Sequence, residues 1–215
     1  ARALAGGHPW VFEGEVIRVE PSPESGKHAQ NGCIVDVFEE NGTYQGTGLL
    51  SEMSKIRVRI VTRNANDRLN EAFWSRKISW AWEHRKTTMG NRALPGTEPD
   101  TNCCRVIFSE ADSFPGLIVD RYENVLVAQV GTVGMEHLRD DIYPLLLEVF
   151  SADGQVIDGI YERNDSSSRL KEGLPQYKGW WIGTSPDENG LTAESSLTLP
   201  STHVLATENG LKFNL

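Results

Sequence analysis

The side chains that could do chemistry are spread along this sequence rather than gathered into one recognisable set. Gly6-Gly7-His8-Pro9-Trp10-Val11-Phe12 places a histidine and a tryptophan beside a flexible entry to a strand. There Trp10 can stack a base and His8 can touch a phosphate, or the pair can be a buried Trp and a turn His. Lys55, Arg57 and Arg59 alternate with Ile56, Val58 and Ile60, so the three cations share one face of a strand. That face can meet an RNA backbone through counterion release, or it can simply be solvated. Gly131-Thr132-Val133-Gly134 lies between a strand and a helix, a place where backbone N–H groups hold phosphate. Its glycine spacing is neither a dinucleotide fingerprint nor a P-loop, so a plain turn is the simpler reading.

The remaining candidates are weaker. Glu162-Arg163-Asn164-Asp165 follows a strand and is catalytic by composition or an ion-paired loop by habit. Glu136 and His137 begin a helix, where charge serves the helix terminus, and no second histidine stands at metal-ligand spacing. Cys103 and Cys104 enter a strand, which suits packing better than nucleophilic work. No Ser/His/Asp set assembles, and no carboxylate pair has a neighbour to drive its pKa values apart. We therefore assign no catalytic residue, no cofactor-binding residue and no metal ligand to this chain.

Three kinds of element must position these residues. Residues 10–63 read as short strands, Trp10–Val16, Gly32–Phe38, Gly46–Leu50 and Lys55–Val61, separated by Pro/Ser/Gly and Asn-Gly turns. A small β-barrel is the expected product. Residues 68–89 change to a helical period through Leu69, Phe73, Ile78 and Trp82, with Arg68, Arg76, Lys77, Arg85 and Lys86 on the polar side. Gly90 is the expected stop, and Asn91–Thr101, with Pro95 and Pro99, the expected loop.

Beyond it, strands at Cys104–Phe108, Leu117–Asp120, Val125–Val130 and Val156–Tyr161 surround a helix at Met135–Phe150. Pro144 is expected to kink or split that helix. Glu208-Asn209-Gly210 between His203–Thr207 and Leu211–Leu215 predicts a hairpin, and residues 184–200 a long loop. The fold class is mixed: a small β-barrel, a connecting helix, then an α+β domain of strands, helix and strands.

Composition bounds the partners. The net charge is −9, against a general nucleic-acid binder. The charge is uneven, however. Residues 1–67 carry 7 Lys/Arg against 9 Asp/Glu, net −2; residues 68–96 carry 6 against 2, net +4; residues 97–215 carry 8 against 19, net −11. The acidity belongs to the second half, and the first half keeps room for a basic face. Three cysteines, two of them adjacent, suit reduced thiols in a cytoplasmic protein rather than a disulfide framework. No apolar run has membrane-spanning length, and no signal peptide is visible.

Five stretches in order resemble one family, the 23S rRNA 5-methylcytosine methyltransferases. They are Gly7–Gly14, Ile56–Thr62, the run Glu110-Ala111-Asp112-Ser113-Phe114-Pro115-Gly116-Leu117-Ile118-Val119-Asp120-Arg121-Tyr122, Gly159–Asp165 followed by Glu172-Gly173-Leu174, and Glu208–Phe213. The resemblance implies a PUA-like RNA-binding domain at 1–67, a connecting helix and linker at 68–101, and an α+β domain at 102–215. In the family a Rossmann-like domain follows, with the S-adenosylmethionine site and a cysteine that adds to C6 of cytosine so that C5 attacks the methyl group. The expectation is an N-terminal fragment, short at both ends, that recognises RNA and itself holds no cofactor.

The residues expected to bind RNA are His8, Trp10, Lys55, Arg57 and Arg59. Those expected at the interface with the methyltransferase domain are Asp120, Arg121, Glu162, Arg163, Asn164 and Asp165. The expected partners are structured RNA, 23S rRNA in particular, and that C-terminal domain; no membrane is expected, and a homodimer is left open. Two other readings stand beside this one: a stand-alone RNA-binding accessory protein without catalysis, and a small-molecule enzyme using the Gly131–Gly134 turn.

Overall fold

The computed structural model describes residues 4, 6–21, 26, 28–89, 101–183 and 199–215. Gly90, the loop through Pro95 and Pro99, and most of the 184–200 stretch lie outside the described residues.

The architecture is mixed α/β. Strands β1 (Trp10–Phe12), β2 (Ile34–Phe38), β3 (Tyr44–Leu50) and β4 (Ile56–Thr62) form an antiparallel sheet in the order β1-β4-β3-β2. The expected barrel is not closed among the described residues, because β1 and β2 end the order without pairing to each other. Side chains alternate across this sheet as a pleat requires. Leu50, Val58 and Ile60 join Leu4 and Val11 in a small core on one face. Leu49 and Val61 point the other way, into a larger core shared with the rest of the chain. The end of that face carrying Arg59 and Val61 is therefore covered by protein, while Lys55 stays exposed.

Helix α1 (Glu71–Met89) supplies Phe73, Trp74, Ile78, Ala81 and Trp82 to that larger core. It is no free-standing connector: the Trp82 and Phe150 rings lie 4.5 Å apart, and Trp74 sits 5.3 Å from Phe114. Its basic side is matched by acidic residues from downstream, Arg85 to Asp112 at 2.5 Å and Lys86 to Asp153 at 2.6 Å. The positive charge of 68–96 thus meets part of the negative charge of 97–215.

The second sheet runs β5 (Cys103–Phe108), β6 (Leu117–Tyr122), β7 (Val125–Val130), β8 (Gly159–Asn164) and β9 (Tyr177–Trp180), in chain order. Only β7 and β8 are parallel, and the crossover between them is helix α2 (Val133–Ala152). Alpha2 runs unbroken through Pro144 rather than splitting there. Its buried face of Met135, Ile142, Tyr143, Leu145, Leu146 and Phe150 outweighs the hydrogen bond that a proline deletes. Strands β10 (Leu205–Glu208) and β11 (Leu211–Asn214) form the expected hairpin, with both turn residues Asn209 and Gly210 at positive φ. Among the described residues no helix is long and apolar enough to cross a membrane.

The two sheets meet closely at the first turn of α2. A Cβ added at Gly134 would lie 2.7 Å from the Leu49 Cβ. Helix propensity alone gives Gly134→Ala a gain of about 1 kcal/mol. Overpacking against β3 outweighs it, and we expect Gly134→Ala to destabilise the chain by about 1–3 kcal/mol in urea unfolding. A stabilising Gly134→Ala would show that the sheets do not meet here.

Candidate nucleic-acid interface between the two sheets

Beyond the residue pair Ala128 and Glu162, the parallel ladder of β7 and β8 stops. The backbone of Val130 is then held by side chains. Its N–H donates to Asn164 Oδ1 at 2.7 Å, and its carbonyl accepts from Arg169 Nη1 at 2.5 Å. Arg169 lies in the short 3-10 helix Ser167–Glu172 and is fully buried. It also reaches Glu136 at 2.9 Å and the Pro175 carbonyl at 2.8 Å. At the C-terminal ends of these strands lies a cleft of about 300 Å³.

The first sheet closes the other side of this cleft with Trp10, Ile56 and Arg59. Arg59 is only 8% exposed, and Glu172, 4% exposed, meets its Nη2 at 2.8 Å. The second Glu172 oxygen accepts from Ser51 Oγ at 2.7 Å and from the Val133 N–H at 3.5 Å. One carboxylate therefore ties β4, the end of β3 and the N-terminus of α2 together, where helix dipole and guanidinium both favour negative charge. Glu110, in the 3-10 turn after β5, accepts from Trp10 Nε1 at 3.0 Å and stands 3.9 Å from Arg59 Nε.

Behind the cleft lies a polar network. Glu162 accepts from Tyr143 and Tyr177 hydroxyls at 3.3 and 3.2 Å and from Asn164 Nδ2 at 3.2 Å, with Arg139 at 3.6 Å. Burial lifts the Glu162 carboxyl above its ordinary range, opposed by the Arg139 charge and the two hydroxyls.

The structure divides the residues expected from the sequence. Trp10 lines the cleft, and His8 sits beside it, accepting from the Trp10 N–H at 3.2 Å with the rings 5.5 Å apart. Lys55 is exposed. Arg57 pairs with Glu13 at 2.6 Å and donates to the carbonyls of Ser51 and Glu52. Arg59 is not on an open RNA-facing surface, because the second sheet covers its face and Glu172 neutralises it.

The interface set also separates. Glu162 and Asn164 are buried inside the second sheet's network, so neither offers a surface to a further domain. Asp120 is paired with Arg105 at 2.8 Å. Arg121 donates to Gln155 at 2.9 Å and lies over the Trp82 and Phe150 rings. Arg163 is exposed, and Asp165 pairs with Lys178 at 3.2 Å.

Two readings of weaker motifs resolve here. The Gly131–Gly134 turn is a packed βα turn: the Gly131 N–H donates to the Gly116 carbonyl at 2.7 Å, Thr132 Oγ1 to the Pro115 carbonyl at 2.8 Å, and Gly134 abuts Leu49. The Gly131 N–H and the Thr132 hydroxyl are thus taken, and the Val133 N–H faces Glu172 at 3.5 Å. Burial pushes the Cys104 thiol up to about 11, the opposite of an activated nucleophile.

The sequence reading missed Arg169 and Glu172, which organise the site. Their one signal was Glu172 within the Glu172-Gly173-Leu174 match.

Comparison with known proteins places this geometry. Residues 1–63 match the model of the PUA-like domain, which defines the class of the first sheet. Over 190 residues the chain is 33% identical to ribosomal RNA large subunit methyltransferase I of Shewanella amazonensis, covering 86% of this chain and 43% of that protein. Over 198 residues it is 30% identical to the same-named protein of Aliivibrio fischeri, covering 92% of this chain and 46% of that protein. The resemblance read from the sequence is borne out: the chain carries a PUA-like domain and is homologous to ribosomal RNA large subunit methyltransferase I.

The chain spans less than half the length of these relatives. In fold it is similar to a Streptococcus mutans chain described as a SAM-dependent methyltransferase, with a TM-score of 0.67 at 16% identity, covering 99% of this chain and 45% of that one. A methyltransferase structure complexed with SAH gives a TM-score of 0.65 at 17% identity, covering 99% of this chain and 44% of that chain.

The Val130 clamp has a measurable consequence. Asn164→Leu keeps the volume but strands a buried N–H, and we expect a loss of about 1–3 kcal/mol in urea unfolding. A loss below about 0.5 kcal/mol, the range of surface substitutions, would show that the clamp does not hold the strand end.

Proposed function

We propose that this chain is the RNA-recognising part of a SAM-dependent methyltransferase that modifies C5 of a cytosine in 23S rRNA. The observation that carries the reading is the joint match: a PUA-like domain over residues 1–63 on a chain homologous to ribosomal RNA large subunit methyltransferase I. We place cofactor binding and the nucleophile outside these 215 residues. In support, the glycine turn between β7 and α2 packs against Gly116 and Leu49, and burial raises the thiol of Cys104 to about 11. Residues 1–67 serve as the RNA-binding domain, and 102–215 as the α+β domain that joins it to the catalytic part, with exposed Arg163 and half-buried Asp165 at that junction.

RNA contact is assigned to the rim of the first sheet and the cleft beside it. His8, Trp10, Lys55 and Arg57 lie there, with Phe12 42% exposed. Aromatic side chains with nearby cations suit unpaired segments of a structured RNA. The acidic second half keeps this contact local.

Fluorescence anisotropy of the chain with fragments of 23S rRNA tests the reading. Affinity should fall as salt rises, and Lys55→Glu should weaken binding across sequences while lowering the log–log salt slope by about 1. Absence of RNA binding at low salt would overturn it.

A further inference from the structure

We infer that the cleft between the two sheets holds one unstacked nucleobase of the bound RNA, a site that deepens the RNA-recognition reading and rests on it. The location is the first argument. Parallel strands in open sheets leave ligand crevices beyond their carboxyl ends. Here the ladder of β7 and β8 ends at Ala128 and Glu162, the side chains of Asn164 and Arg169 take the Val130 peptide groups beyond it, and the cleft lies at those ends.

Size and chemistry narrow the occupant. At about 300 Å³ the cleft stands at the small end of ligand pockets, roomy enough for one base and its sugar but not for a duplex. Trp10, Ile56 and Ile118 give it apolar walls, and Gln129, Ser166 and Ser168 line it with polar groups.

Charge argues against a polyphosphate. Two of the three arginines on the wall are already neutralised, Arg59 by Glu172 and Arg169 by Glu136. Arg163, with its side chain 58% exposed and Asp165 3.5 Å away, is the loosely held cation of the three. What remains is hydrogen-bonding capacity without much net charge. The Gln129 carboxamide makes no hydrogen bond among the described residues, and it can both donate and accept. The buried Arg169 Nη2 has no partner among them either. A neutral, planar ligand with a mixed donor and acceptor edge fits this set, with Trp10 to stack on. An unpaired RNA base has that chemistry, and single-stranded loops and bulges present it.

The test is anisotropy of the whole chain with two RNA probes: a hairpin carrying one bulged 2-aminopurine, and the same hairpin fully paired. The bulged hairpin should bind at least about tenfold tighter, with its fluorescence quenched on binding. Trp10→Ala should abolish that preference and the quenching, and Trp10→Phe should restore most of both. Gln129→Leu should reduce the preference without touching the first sheet, which decides the matter if Trp10→Ala does not fold. Equal binding of the two hairpins by the wild-type chain, or a preference unmoved in both Trp10→Ala and Gln129→Leu, overturns the base site and leaves RNA recognition standing. Failure to bind either hairpin overturns both.

Discussion

A guanidinium withdrawn from water between two sheets must be met by a carboxylate, and the arrangement of this chain follows from how Arg59 meets Glu172. Arg59 stands on the face of the PUA-like sheet that the rest of the chain covers, and Glu172 comes from the 3-10 helix Ser167–Glu172 between β8 and β9. Neither charge is tolerable alone at such burial. Their pairing fixes which face of the first sheet is covered, and Ser51 and the first N–H of α2 complete the carboxylate's acceptor sites. Leu49, Val61 and Gly134 then pack around the pair.

From that junction the cleft follows almost geometrically. The first sheet arrives with Trp10 at its edge, and Glu110 anchors the indole N–H. The second sheet arrives with the end of β7 bound by the side chains of Asn164 and Arg169 rather than by the β8 backbone. A gap between the two is what remains. Its wall mixes an aromatic ring, neutralised arginines and hydroxyls, which suits recognition of a nucleic-acid segment more than chemistry on one. The acidic second half confines favourable contact with a polyanion to this neighbourhood.

Much of the fold was legible in the sequence, for identifiable reasons. Period-2 alternation found β4 and the faces of Val58 and Ile60; the apolar stripe found α2; Asn209-Gly210 found the last hairpin. Strand β9 was not legible, since Tyr-Lys-Gly-Trp is too short to show a period. The alternation also could not say which face meets water. Lys55, Arg57 and Arg59 look like one cationic surface, yet the last of them is buried by a partner 113 residues away. Glu162 and Asn164 misled similarly, because a charged stretch after a strand reads as surface while here its alternate residues turn inward. Burial decided by distant chain carries no local signature, and for the same reason Arg169 and Glu172 went unnoticed.

The most direct measurement of this account is a double-mutant cycle on Arg59→Met and Glu172→Leu, read by urea unfolding. Each single change leaves one buried charge without its partner, and each should cost about 3–5 kcal/mol. Removing both takes away the pair together with its desolvation penalty, so the double variant should lose much less than the sum of the singles. Single losses below about 1 kcal/mol that add in the double variant would place Arg59 and Glu172 in water, and would contradict a structure built on their contact.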